Sequence, residues 1–124
     1  MNRVYFVLLV GLLGVCGCKS SQPAAGSGER FTLSGNSPFW TVEISTEGIT
    51  FEELGKQIVA YPYKPSVRAG DRINFVFAKD ASGNDRRIRI SLTKSPCLDR
   101  MVGGEQPYQA EVELDGKTYL GCGK

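Results

Sequence analysis

The chain has 124 residues, 15 Lys and Arg against 13 Asp and Glu, and a formal charge of +2. It contains no histidine, so the usual serine and cysteine triads would lack their imidazole base. The near-neutral balance argues against nucleic-acid binding, which draws on a surplus of Lys and Arg.

The first segment reads as an export signal. Met1, Asn2 and Arg3 form a short basic start, and Val4 to Val15 is apolar apart from glycine and one tyrosine. About a dozen such residues are too few to cross a bilayer core as a helix, which takes roughly 20, but they suit the hydrophobic region of a cleaved signal. Val15-Cys16-Gly17-Cys18 resembles the lipobox of bacterial lipoproteins: aliphatic, small, Gly or Ala, then the modified cysteine. The resemblance implies a signal peptide over 1–17 and a thioether-linked diacylglyceryl group plus an N-acyl group on Cys18. More than one acyl chain is what stable anchoring requires. Cys16 fits less well, because Val15 is bulky for the position before it, and the alternative is a soluble secreted protein with a spare cysteine. Lys19 after the cysteine, rather than Asp, points to the periplasmic face of the outer membrane. The stretch 18–29 is rich in Gly, Ser and Pro and is expected to be a flexible tether with a reach of roughly 15–20 Å. One domain, 30–124, remains.

That domain reads as all-β. Trp40, Val42 and Ile44 alternate with polar neighbours, as do Ile49 and Phe51, then Ile73, Phe75 and Phe77, then Ile88, Ile90 and Leu92, then Tyr108, Ala110, Val112 and Leu114. Period-two alternation marks strands with one buried face. Phe31 to Ser34, Lys56 to Tyr61 and Thr118 to Cys122 are weaker candidates. Glu47-Gly48, Leu54-Gly55, the run from Ser82 to Asp85, and Asp115-Gly116 are turn signals. About seven or eight short strands favour a small antiparallel β-barrel or a sandwich that curls closed. At Asp115-Gly116 two registers compete. A two-residue turn turns Lys117 and Tyr119 inward, whereas a three-residue loop buries Leu120 and Cys122. The second is preferred, because it avoids facing a lysine to the core.

Two stretches break the rhythm: Tyr61 to Gly70, and the longer run from Thr93 to Pro107, which reads as an irregular loop. Export would place Cys97 and Cys122 in an oxidising space, where an even pair forms a disulfide. Closing about 25 residues is worth roughly 3 kcal/mol and would pin the last strand to the long loop. No C-x-x-C spacing supports redox chemistry. No metal site is expected, since two thiols do not complete a zinc shell, and no cofactor is implied.

Gly35-Asn36-Ser37-Pro38-Phe39-Trp40, Cys97-Leu98-Asp99-Arg100-Met101 and Gly121-Cys122-Gly123 together resemble a family of uncharacterised bacterial envelope lipoproteins with the pattern G-N-x-P-F-W, C-x-D-x-M-S-G before Tyr-Pro, and a closing G-C-G. Val102 replaces the serine, and Pro107-Tyr108 reverses the Tyr-Pro order. The family brings no established activity. A more distant similarity is to the barrel-shaped inhibitors of c-type lysozyme, although their glycine-serine loop is not recognisable and Gly103-Gly104 stands instead.

Strand alternation puts Phe39 and Trp40 on opposite faces, with Trp40 in phase with Val42 and Ile44. Asn36, Phe39, Asp99 and Met101 are the candidate binding rim, beside structural readings as turn cap, loop cover, loop ligand and gap filler. Arg68, Arg72, Arg86, Arg87 and Arg89 offer a basic patch that Glu111 and Glu113 would balance on a neighbouring strand. Glu52 and Glu53 point apart and cannot act as paired carboxylates. The expected activity is non-enzymatic: a lipid-anchored interaction module with an envelope-protein or cell-wall partner. The alternatives are an inhibitor of lysozyme-like hydrolases, or a barrel binding a small ligand or lipid.

Overall fold

The computed structural model describes residues 29–99 and 103–124. The expected signal segment, Cys18, the tether short of Glu29, and Met101 lie outside the described residues.

Within them the chain is all-β. Nine strands form one antiparallel sheet: β1 (Phe31–Asn36), β2 (Phe39–Ser45), β3 (Gly48–Glu53), β4 (Val59–Tyr61), β5 (Val67–Ala69), β6 (Arg72–Phe77), β7 (Ile88–Asp99), β8 (Gly104–Leu114) and β9 (Lys117–Gly123). Their spatial order is β4-β3-β2-β1-β9-β8-β7-β6-β5. Every link joins neighbours in sequence except β1 to β9, where the first and last strands meet. The alternating residues place Leu33, Val42, Ile44, Ile49, Phe75, Ile88, Ile90, Leu92 and Val112 in one core.

No hydrogen-bonded ladder joins β4 to β5 among the described residues, yet the sheet curls until its ends meet. The rings of Tyr61 on β4 and Phe77 on β6 lie 5.5 Å apart. These strands are seven places apart in the sheet, which in a flat sheet is roughly 33 Å. The seam is held by other means. The Tyr61 hydroxyl donates to the Arg86 carbonyl at 2.8 Å, and the Ala81 amide donates to the Ala60 carbonyl at 2.8 Å. Burial pushes the Tyr61 hydroxyl up to about 12, so it stays protonated as a donor. Near β5, Glu29 accepts bonds from Tyr63 Oη, from the Ser66 amide and from Ser66 Oγ, and pairs with Arg68. Burial raises the Glu29 carboxyl, but Ser66, Tyr63 and Arg68 together hold it below its ordinary value. Glu29, two residues before β1, thus ties the start of that strand to the β4–β5 connection.

Three sequence expectations change. The run Thr93 to Pro107 is not an irregular loop. It extends β7 and β8 into a long hairpin, Cys97 pairing with Gln106 and Asp99 with Gly104. Lys56 to Tyr61 forms a strand only from Val59, and the stretch after Tyr61 contains the short edge strand β5. The Asp115-Gly116 turn has two residues, with Leu114 opposite Lys117. Both turn residues have positive φ, 51° and 81°, which is the type I′ geometry that Asp-Gly favours and that matches strand twist. Tyr119 is therefore buried and Leu120 exposed. Lys117 escapes burial because its amine reaches out to Glu53 at 3.2 Å.

Trp40 lies where β1 and β9 meet. Its indole N–H donates to the Leu120 carbonyl at 3.3 Å, and its ring stacks on Phe51 and meets Tyr119 edge-on. A Cβ on Gly35 would overlap the indole and the Leu120 carbonyl, and one on Gly121 would overlap the Ser34 carbonyl and the indole. Gly121→Ala should lower stability in urea by about 2 kcal/mol, as overpacking against backbone does. Gly104→Ala, with nothing within 4 Å of its Cβ, should leave the unfolding midpoint unchanged.

Candidate functional site: a groove under a disulfide-held hairpin

The outer face of the sheet carries the site. The β7–β8 hairpin is bulged where Lys94 pairs with Tyr108 and Cys97 with Gln106, so that Ser95 and Pro96 oppose Pro107 alone. Prolines lack the amide that a ladder needs, and a bulge bends its strand. Beyond it, β7 contacts β9 although β8 lies between them in the sheet. The contact is covalent: Cys97 and Cys122 form a disulfide with their Cα atoms 5.6 Å apart.

The end of β7 and the outer face enclose a groove of about 660 Å³. Ser34 and Asn36 of β1, Phe39 and Thr41 of β2, Glu52 and Leu54 at the end of β3, and Leu120 and Cys122 of β9 form one side; Leu98 and Asp99 come from the hairpin. The strand-derived residues share one phase, opposite to the core residues Leu33, Trp40, Val42, Phe51 and Tyr119. Phe39 is 44% exposed, whereas Leu54, Leu98 and Leu120 are each about 70% exposed. Asp99 is buried at 8% exposure and is itself engaged in a contact, while its carbonyl accepts from the Gly103 amide at 3.0 Å.

Of the expected rim residues, the structure brings Asn36, Phe39 and Asp99 to this groove; Met101 lies outside the described residues. The groove is on the outer face of the sheet, not at an end of the curled core. Sequence reasoning missed Leu54 and Leu120. The signal for Leu120 was present in the Asp-Gly turn, whose I′ preference fixes the register that turns Leu120 outward. Glu52 faces this groove and Glu53 the opposite side, as alternation requires.

Glu53 anchors a separate polar cluster on the inner face. It accepts from the Tyr119 hydroxyl at 2.7 Å and pairs with Lys117 at 3.2 Å and Lys56 at 3.1 Å. The Tyr119 bond, against the opposing effect of burial and aided by the two lysines, lowers its carboxyl to about 2. These partners satisfy the group, so a structural role accounts for it. The arginines are likewise balanced in part. Arg86 pairs with Asp115 at 2.7 Å, and Arg89 stands directly opposite Glu113. Among the described residues no group of three or more carboxylates and thiols is placed to hold a metal ion.

Comparison of the chain with protein-family models, with curated proteins and with solved structures finds no match. The chemistry of the groove rests on its own residues. Hydroxyl, amide and carboxylate groups beside exposed leucines and a phenylalanine are equipped for non-covalent recognition.

Two outcomes follow from this geometry. Glu53 has a folded pKa below its ordinary value near 4.5, so its contribution is full above about that pH and is lost as pH falls towards 2. Tyr119→Phe removes the largest cause while keeping the ring, and should move the acid-unfolding midpoint to higher pH in a tryptophan-fluorescence titration. Replacing Cys97 and Cys122 together by Ser opens a loop of sequence separation 25. It should cost about 3 kcal/mol in urea unfolding and increase amide exchange at Leu98 and Asp99 more than at Ile90.

Proposed function

We propose that this protein is a lipid-anchored lipoprotein of the bacterial envelope that acts as a non-enzymatic interaction module, with the groove beneath the β7–β8 hairpin as its contact surface. The observation that carries the reading is the convergence of Asn36, Phe39 and Asp99, from two of the sequence motifs, on one groove beside the Cys97–Cys122 bridge of the third. The anchor rests on the run Val15-Cys16-Gly17-Cys18 behind its apolar segment. The placement of the groove suits a tethered module. The chain enters β1 at Phe31, and the groove begins at Ser34 and Asn36 at its other end. The rise along β1 puts roughly 10 Å between Phe31 and Ser34, where the recognition surface begins, and roughly 17 Å to Asn36. A filled core is also consistent with external recognition: Phe51, Phe75, Phe77 and the branched aliphatic residues occupy the interior.

A photoreactive amino acid placed at Leu98 or Leu120 in cells should give a discrete cross-linked adduct. The same group at Val76, exposed on the outer face of β6, should give none. Equal labelling from all three positions, or none from any, would refute the groove as the contact surface. Cys18→Ser should shift the protein from the membrane to the soluble fraction; a wild-type protein already soluble would refute the anchor.

A further inference from the structure

The groove also carries information about its occupant. Among the described residues, four of the seven exposed large hydrophobic side chains, Phe39, Leu54, Leu98 and Leu120, line this one groove. A concentration of exposed apolar surface marks a site of association rather than ordinary solvent-facing surface. Its volume of about 660 Å³ falls within the roughly 300–1,000 Å³ of ligand-sized sites, enough for a few side chains.

Charge is distributed with equal bias. The only charged side chains lining the groove, among the described residues, are the carboxylates of Glu52 and Asp99. Asp99 is already engaged, so Glu52, exposed at the groove edge, is the group left to meet a ligand. Glu43 continues the acidic surface: it shares the outer phase of β2 with Phe39 and Thr41. No lysine or arginine occurs in β1, β2 or β3. Arg30, just before β1, and Lys124, which pairs with Thr32 at the end of β1 away from Asn36, do not line the groove, and the basic outer-face residues Arg72 and Arg89 lie across the sheet on β6 and β7. An anionic ligand, whether phosphate headgroup or acidic peptide, would meet like charge here, whereas a cation is attracted and steered.

Resting on the groove as the contact surface, we propose that it docks a polypeptide segment of a partner that presents an apolar side chain next to a lysine or arginine. The apolar group packs among Leu54, Leu98, Leu120 and Phe39. The cation pairs with Glu52 at the rim, where water remains and salt screens the pair.

The test pans a random heptapeptide library on the mature chain, with counter-selection on a Leu98→Asp/Leu120→Asp variant whose folding is checked by its unfolding midpoint. Enriched peptides should carry an apolar–basic pair. For a labelled representative, Glu52→Lys should weaken binding roughly tenfold by like-charge contact, and Glu47→Lys, in the exposed turn between β2 and β3, should leave it unchanged. Enrichment of acidic or uncharged sequences, or indifference to Glu52→Lys, would overturn the proposal. If no peptide is enriched while Leu98 and Leu120 still cross-link in cells, this inference fails and the contact surface stands. If cross-linking is also absent, both fail. Concentration-dependent self-association abolished by Glu52→Lys would identify a second copy as the occupant and overturn the partner assignment.

Discussion

Trp40 sits where the first and last strands meet, and the fold depends on its seat. β1 and β9 form the one link in the sheet that does not join neighbours in sequence. The indole occupies space that side chains on Gly35 and Gly121 would take, and its N–H meets the Leu120 carbonyl. An aromatic of this size contributes a large buried area only where backbone approaches it closely. Two glycines from opposite ends of the chain provide that approach. Without it the two halves of the sheet, β4 to β1 and β9 to β5, would lose their shared core.

The same junction organises the outer surface. A strand that must put Gly121 and Gly123 inward, beneath Trp40 and Leu33, necessarily puts Cys122 outward. There it captures Cys97 from the bulged hairpin. On β1 and β2 the alternation that turns Gly35 and Trp40 inward turns Asn36 and Phe39 outward. The first and third sequence motifs are thus each divided by the period of two. In both, one half builds the core junction and the other lines the groove directly above it.

Polar groups close what the ladder leaves open. The β4 end of the sheet is tied by Tyr61 and the Ala60–Ala81 backbone bond to the connection between β6 and β7, and Glu29 ties the chain before β1 to the β4–β5 connection. The buried Glu53 is satisfied by Tyr119, Lys56 and Lys117. Among the described residues no buried side-chain donor or acceptor is left without a partner, as native interiors require. The sheet ends need no ladder between them because these contacts and the Tyr61–Phe77 packing hold them in place.

The all-β class, most strand cores, the inward Trp40, the outward Phe39 and the divergence of Glu52 from Glu53 were legible in the sequence, because alternation in a strand is local and has a fixed period. The register of β9 was legible in principle, in the Asp115-Gly116 pair, but a preference for keeping Lys117 out of the core outweighed it. That preference failed because a lysine stem can lie along a surface while its amine reaches a carboxylate, and Glu53 is distant in sequence. The long hairpin was hidden by its two prolines and its bulge, which read as irregular chain until the partner strand is known. The meeting of Leu54, Leu98 and Leu120 above one junction was not legible, since it depends on how far the sheet curls and on how the bulge bends the hairpin. Both are set by long-range packing, on which no local period bears.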